Sequence, residues 1–279
     1  MEEQHVLGVT KLVNWLLAKP ALWLLHALRI EVHNPEYPIP NHISMELVVF
    51  ALAVVFFLWL RRRLSVDRPG ATQLCAEMLL TNRMGLGVRD MLEDFIGHGS
   101  ERYLAMLGSI GVFVLLCNLI SIIPGLESPT ATTSVPLGCA IVVFLYYHWC
   151  GVRKRGAVKY AKHFTGPDMG LPFPVNLILG AVMSAIESVS HAARLLSLTV
   201  RLWVNMMVSE LLYVTFLGLT LALFLFVGKL NPAGYAAGVL PFAGPPLFIL
   251  LHVFVGFVQA FVFTILPIIY VGGAVAEEH

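Results

Sequence analysis

Ala193–Val214 reads ARLLSLTVRLWVNMMVSELLYV, inside a longer apolar stretch, Pro174–Val227, with no proline after Pro174. About 20 residues cross a bilayer core. The stretch therefore makes a helix, or a bent pair of helices, longer than a simple span needs. Yet Glu187, Arg194, Arg201 and Glu210 sit inside it. An ionisable side chain at membrane depth is costly unless it is paired, hydrated or facing a protein cavity. Four of them in one apolar stretch point to an ion pathway.

Spacing sorts the four. Glu187, Arg194 and Arg201 are seven apart, so they fall near one line on a helix, drifting only about 20° per heptad. Asn205 lies one turn beyond Arg201 on the same face. Glu210 is nine residues past Arg201, on the opposite side at about 100° per residue. The competing reading is structural: intrahelical ion pairs, or arginines reaching lipid headgroups. Arg194 admits both readings. Arg201, with long apolar flanks on both sides, is read as part of the pathway.

Composition agrees with a membrane setting. Of 279 residues, 58% are hydrophobic and 13% charged, and the mean hydropathy is +0.80. A soluble domain carries about 25% charged residues. The chain reads as a polytopic, all-α integral membrane protein. A net charge of +1 gives no signal for nucleic acid. The start, MEEQHVLG, has no basic n-region, so neither a secretory signal nor a mitochondrial presequence is evident. Cys75, Cys117, Cys139 and Cys150 include no CxxC pair, and three lie in or beside apolar runs as small buried residues.

Taken in order, residues 1–279 form one membrane domain. Residues 1–44 hold an interfacial helix (9–30) and a Pro-rich loop. The helix is broken by Lys11, Lys19-Pro20, His26 and Arg29, with Trp15 and Trp23 flanking the break. Residues 45–63 are the first span, closed by Arg61-Arg62-Arg63. Residues 64–100 read as a surface helix. Residues 101–152 carry the second and third spans around LESPTATTSVP, and 153–174 form a basic cytoplasmic loop. Residues 175–279 hold the last two spans, joined by a Gly/Pro/Asn loop at 228–238. The expected fold is thus about five transmembrane helices plus peripheral amphipathic helices. Arg61, Arg62, Arg63, Arg153, Lys154, Arg155, Lys159 and Lys162 fall on one side of this arrangement. The opposite loops hold only Lys229 as a basic residue. The positive-inside rule then puts the N-terminus outside and the C-terminus in the cytoplasm. A sixth span at 9–30 would move only the N-terminus.

The last span offers a second polar set. His252 and Gln259 are one heptad apart. In an antiparallel hairpin centred near residue 233, Arg201 comes level with Gln259, and Glu210 with His252. Glu210 and His252 are expected to form a proton-accepting pair, since histidine titrates near neutral pH. Arg201, with Gln259 and Asn205, is expected to be a fixed positive charge. It keeps its proton, so it can block or discharge a passing ion but cannot relay one. The plainer alternative for His252 is a satisfied core histidine. Asn118 and the Ser/Thr loop at 128–134 read as ordinary polar caps. There is no P-loop, HExxH or GxSxG. No metal site and no cofactor is read.

SLTVRLWVNMMVSEL, followed by HVFVGFVQAFVFTILPIIYV and a final EEH, resembles subunit a of the F-type (rotary) ATP synthase. The resemblance is strong from about Val175 to the C-terminus and looser earlier, through CNLISIIPG and SPTATTSVPL. It implies a stator subunit of the bacterial inner (plasma) membrane with no covalent chemistry of its own. The last two spans would be a long, tilted hairpin against a ring of c subunits, with peripheral-stalk b subunits as further partners. Arg201 matches the essential arginine facing the ring carboxylate. Asn205, Glu210, His252 and Gln259 match the polar residues beside it and along a half-channel from outside. Glu187 and Ser190 match the half-channel to the cytoplasm, which Arg194 adjoins. Protons or sodium ions would be carried. The family's glycine before the asparagine, and its small residue before the acidic position, are here Val204 and Ser209, with Trp203 alongside. Two other readings stand beside this one. A secondary ion transporter would show related halves or broken helices. A b-haem electron carrier would need His191 and His252 as paired axial ligands.

Overall fold

Backbone N–H and C=O groups have no water to bond in a bilayer core, so a spanning segment must satisfy them internally. The computed structural model answers with helices and, among the described residues, no strand. The structure describes residues 6–27, 29, 36–65, 69–81, 87–97, 99–123, 126–163, 173–230 and 244–275. The helices are α1 (Gly8–Ala27), α2 (Asn41–Arg63), α3 (Ala71–Leu80), α4 (Val88–Ile96), α5 (Glu101–Leu119), α6 (Ser134–Arg155), α7 (Ala157–His163), α8 (Phe173–Leu230) and α9 (Gly244–Val275). Among the described residues, five stretches are long and apolar enough to span: Asn41–Arg63, Glu101–Ile122, Ser134–Arg155, Ile178–Phe226 and Pro246–Val275. The protein is a multi-pass, all-α membrane protein.

Local chemistry sets several boundaries. α2 begins at Asn41, ahead of the expected start, because Pro40 stands at its N-cap with φ −70°, the φ that a proline ring imposes. Arg61, Arg62 and Arg63 close it, where cations complement the helix dipole. Arg63 also lies 4.9 Å from the Trp59 ring centre, and Arg153 at the end of α6 lies 5.1 Å from Trp149. Such Arg–Trp pairs suit a membrane–water interface. The stretch 64–100 is two helices, α3 and α4, rather than one. Thr81 closes α3 and Gly87 precedes α4, both with extended backbone, and residues 82–86 lie outside the described residues. α1 is not among the five long apolar helices. Its Trp15 and Trp23 are exposed. Its Asn14 binds the Ile39 backbone through both ends of the amide, at 2.9 and 3.0 Å, which ties α1 to the start of α2.

α8 carries 58 residues in one helix. At 1.5 Å per residue it is about 87 Å long, against about 30 Å of hydrocarbon, so it must lie steeply inclined. Phe216 stacks on Phe248 with ring centres 3.9 Å apart, and Ser209 meets His252. Residue numbers fall along α9 as they rise along α8, so these two stretches run antiparallel. Gly228 belongs to α8, and most of the expected turn at 228–238 lies outside the described residues.

The chain divides into two compact units. One comprises Met1–Leu64, Val112–Val135 and Trp203–Ala260; the other comprises Ser65–Gly111, Pro136–Leu202 and Phe261–His279. The first has a core of Leu7, Met45, Val49, Cys117 and Ile120. In the second, Tyr147, Leu107, Phe263 and Ile268 are among the most deeply buried side chains.

Candidate functional site

In the first unit, polar side chains from α5, α8, α9 and the 126–133 loop form a buried network. Asn118 is fully buried. Its amide nitrogen donates to the Gly256 carbonyl at 3.1 Å, and its oxygen accepts from Thr130 Oγ1 at 2.7 Å. The helices approach closely at Gly256, where a Cβ would sit a tight 3.3 Å from the Asn118 Cβ. Ser128 Oγ lies 2.7 Å from Thr130 Oγ1 and 2.9 Å from the Cys117 carbonyl oxygen, and its single proton serves one of the two. His252 is 3% exposed. Ser209 Oγ lies 2.9 Å from its Nδ1, and Ser121 Oγ lies 2.9 Å from its Nε2. A neutral imidazole has one donor and one acceptor nitrogen, and a serine hydroxyl serves either. The ring is therefore held in place whichever nitrogen carries the proton.

Glu210 Oε1 accepts from the Ser128 backbone N–H at 3.4 Å, while Oε2 is buried with no hydrogen-bond partner among the described residues. The direct Glu210–His252 pair expected from the hairpin is thus replaced by Ser209–His252, one residue away. Equal distance from a turn sets the level of two residues. The face is set by about 100° of rotation per residue, and it turns Ser209 rather than Glu210 toward the imidazole. Ser121 and Ser209 were not read as site residues, and Asn118, Ser128 and Thr130 were read only as caps. The three-residue spacing of Asn118 and Ser121 within a span was the available signal.

In the second unit, the first turns of the polar stripe on α8 hold a second cluster. Glu187 Oε1 is 3.2 Å from His191 Nε2 and 3.9 Å from an Arg194 guanidinium nitrogen. Arg194 also lies 5.4 Å from the centre of the Tyr270 ring. Tyr147 Oη of α6 is 2.6 Å from His191 Nδ1. Beside it, His148 Nδ1 is 2.7 Å from Tyr160 Oη of α7. Gly151 leaves room for the Tyr160 ring, which a Cβ at that position would strike. Burial raises the Tyr160 phenol above its ordinary pKa, so it stays a neutral hydroxyl. Ser190 is half-buried on α8. Sequence reasoning missed His191 as a partner of Glu187, although their four-residue spacing is that of helix neighbours. Nothing in the sequence brings Tyr147 to them.

Arg201 belongs to this second unit and is exposed at the midpoint of α8. Its guanidinium donates to Ser197 Oγ, at 3.4 Å on the same helix, its one hydrogen bond among the described residues. Val189, Leu196 and Val200 along that helix are exposed and apolar. Asn205, half-buried, and Gln259, buried, belong to the first unit. Among the described residues no group of three or more His, Cys, Asp or Glu is arranged to hold a metal ion.

The family model described as ATP synthase A chain matches residues 43–272. The chain belongs to the ATP synthase subunit a family. It is 38% identical over 275 residues to "ATP synthase subunit a" of Koribacter versatilis, with 99% of each chain covered. It is 43% identical over 242 residues to that of Solibacter usitatus, covering 87% of this chain and 90% of the relative. A third relative, "ATP synthase subunit a 3" of Pelobacter propionicus, is 34% identical over 233 residues, covering 84% and 86%. The part matched to the subunit a family contains both polar clusters and almost all of the five long apolar helices, while α1 lies ahead of it.

Proposed function

We propose that the chain is the stator subunit of the rotary ATP synthase membrane motor, passing protons to and from a ring of c subunits through two aqueous half-channels. The carrying observation is Arg201, a permanent cation exposed on an apolar helix of spanning composition. A charge left against lipid at that depth is costly, so its exposure supports a partner of opposite charge outside this chain. A carboxylate on a passing c subunit fits. A unit pair about 4 Å apart at an effective dielectric near 20 gains on the order of 4 kcal/mol. That equals about three pKa units, enough to strip the proton from a neutral carboxyl group. The same charge bars direct passage between the half-channels, so a proton must ride the ring.

In this reading Glu210, His252 and Gln259 line the entry from outside, with Asn205 beside the arginine. Glu187, Ser190 and Arg194 lead to the cytoplasm. The N-terminus is outside and the C-terminus inside. Peripheral-stalk b subunits hold the chain still while ATP is made in a separate soluble head. The haem alternative loses its ligands, because both ring nitrogens of His191 and of His252 are already engaged. The reading is tested by placing single cysteines at Leu196 and Val200 and oxidising native membranes. Crosslinks to a small two-helix subunit with cysteines in its carboxylate helix are expected; a cysteine at buried Leu198 should give none. Equal yields from all three positions would contradict a ring against this face.

A further inference from the structure

We propose that His191 and Tyr147 continue the cytoplasmic half-channel as a proton relay that starts at Glu187. The inference rests on the half-channel reading of Glu187 and adds two carriers to it. Three elements converge here. Glu187 and His191 lie on adjacent turns of α8 with Oε1 3.2 Å from Nε2. Tyr147 of α6 approaches the other ring nitrogen at 2.6 Å. The imidazole is thus bonded at both ends, to a carboxyl group on one side and a hydroxyl on the other. Two proton-exchanging partners on opposite nitrogens are the geometry that a relay through an imidazole requires.

The step moves one proton and no electrons. The Glu187 O–H bond breaks as an N–H bond forms at His191 Nε2. The Nδ1–H bond then breaks as an O–H bond forms at Tyr147, whose own hydroxyl proton passes to a water on the cytoplasmic side, making hydronium there. The tyrosine ends neutral, as it began. Next to Tyr147 stands His148, with ring centres 4.3 Å apart, and His148 is bonded to Tyr160. Tyr160 sits in α7, beyond the basic end of the third span, so the cluster runs from the polar stripe of α8 toward that end. The groups facing His191 are Glu187 from α8 and Tyr147 and His148 from α6, with Arg194 of α8 beside Glu187. Tyr270 of α9 packs on Tyr147 and Arg194, and Tyr160 of α7 on His148. Arg194 is the fixed cation of the set. It lies 3.9 Å from Glu187 Oε1.

The test uses the whole ATP synthase in sealed vesicles, reading ATP-driven proton pumping for His191→Leu, Tyr147→Phe and Glu187→Gln, with and without added imidazole. Tyr147→Phe keeps the ring and removes only the hydroxyl. His191→Leu and Tyr147→Phe are expected to slow pumping by on the order of tenfold or more. Imidazole should restore His191→Leu and leave Tyr147→Phe unchanged. Normal pumping in both variants, or slowing of His191→Leu that imidazole does not relieve, would overturn the relay. If Glu187→Gln slows pumping while those two do not, the relay alone fails. If Glu187→Gln is also without effect, the half-channel reading of Glu187 fails with it.

Discussion

His252 is the residue on which the outer network turns. It is the one group there whose ordinary pKa lies near neutrality, and its two nitrogens are spanned by Ser121 and Ser209. Glu210 follows Ser209 directly, with one carboxyl oxygen buried and unbonded. In the proposed half-channel, exchange between Glu210 and His252 would run through a hydroxyl or a water. This predicts that Glu210→Gln and His252→Ala each slow proton entry in vesicles. The double variant should cost less than the two singles combined on a logarithmic scale, since residues in one network are not additive. Additive costs would place them on separate routes. The sequence already showed that these two residues share a level, from their distances to the turn. It did not show which side chain meets the imidazole, because a small error in the turn centre rotates each helix by a large angle.

At the scale of the element, α8 was legible as a long helix because no proline interrupts it after Pro174. The first span was legible through its three closing arginines. The break of residues 64–100 into α3 and α4 was less so, since Thr81, Asn82, Gly85 and Gly87 also occur in kinked helices. The close approach of α9 to α5 was invisible in the sequence. It depends on Gly256 opposite Asn118, which are 138 residues apart. Gly256→Val would drive a branched side chain into Asn118 and the loop it anchors. The expected loss is about 1–3 kcal/mol, the usual cost of overpacking. It reads as a lower midpoint in thermal unfolding of the detergent-solubilised complex, together with slower proton entry. An unchanged midpoint would mean the two helices can part freely.

At the scale of the whole molecule, hydropathy and loop charge describe a multi-pass protein whose basic loops lie on one side. Cysteines placed at Arg62 and Lys159 should react with impermeant reagents only from the cytoplasmic side, and labelling from outside would contradict the orientation. The two polar clusters were only partly legible. Glu187, Arg194 and Arg201 share a helical line in the sequence, but the partners from α6 and α7 come from tertiary packing. The claim that joins both clusters is that Arg201 separates them. It is tested most directly by Arg201→Ala in assembled complexes. ATP synthesis is measured with the soluble head attached, and passive proton flux through the membrane sector with it removed. The account predicts that synthesis stops while passive flux persists or rises; normal coupled synthesis in Arg201→Ala would contradict it.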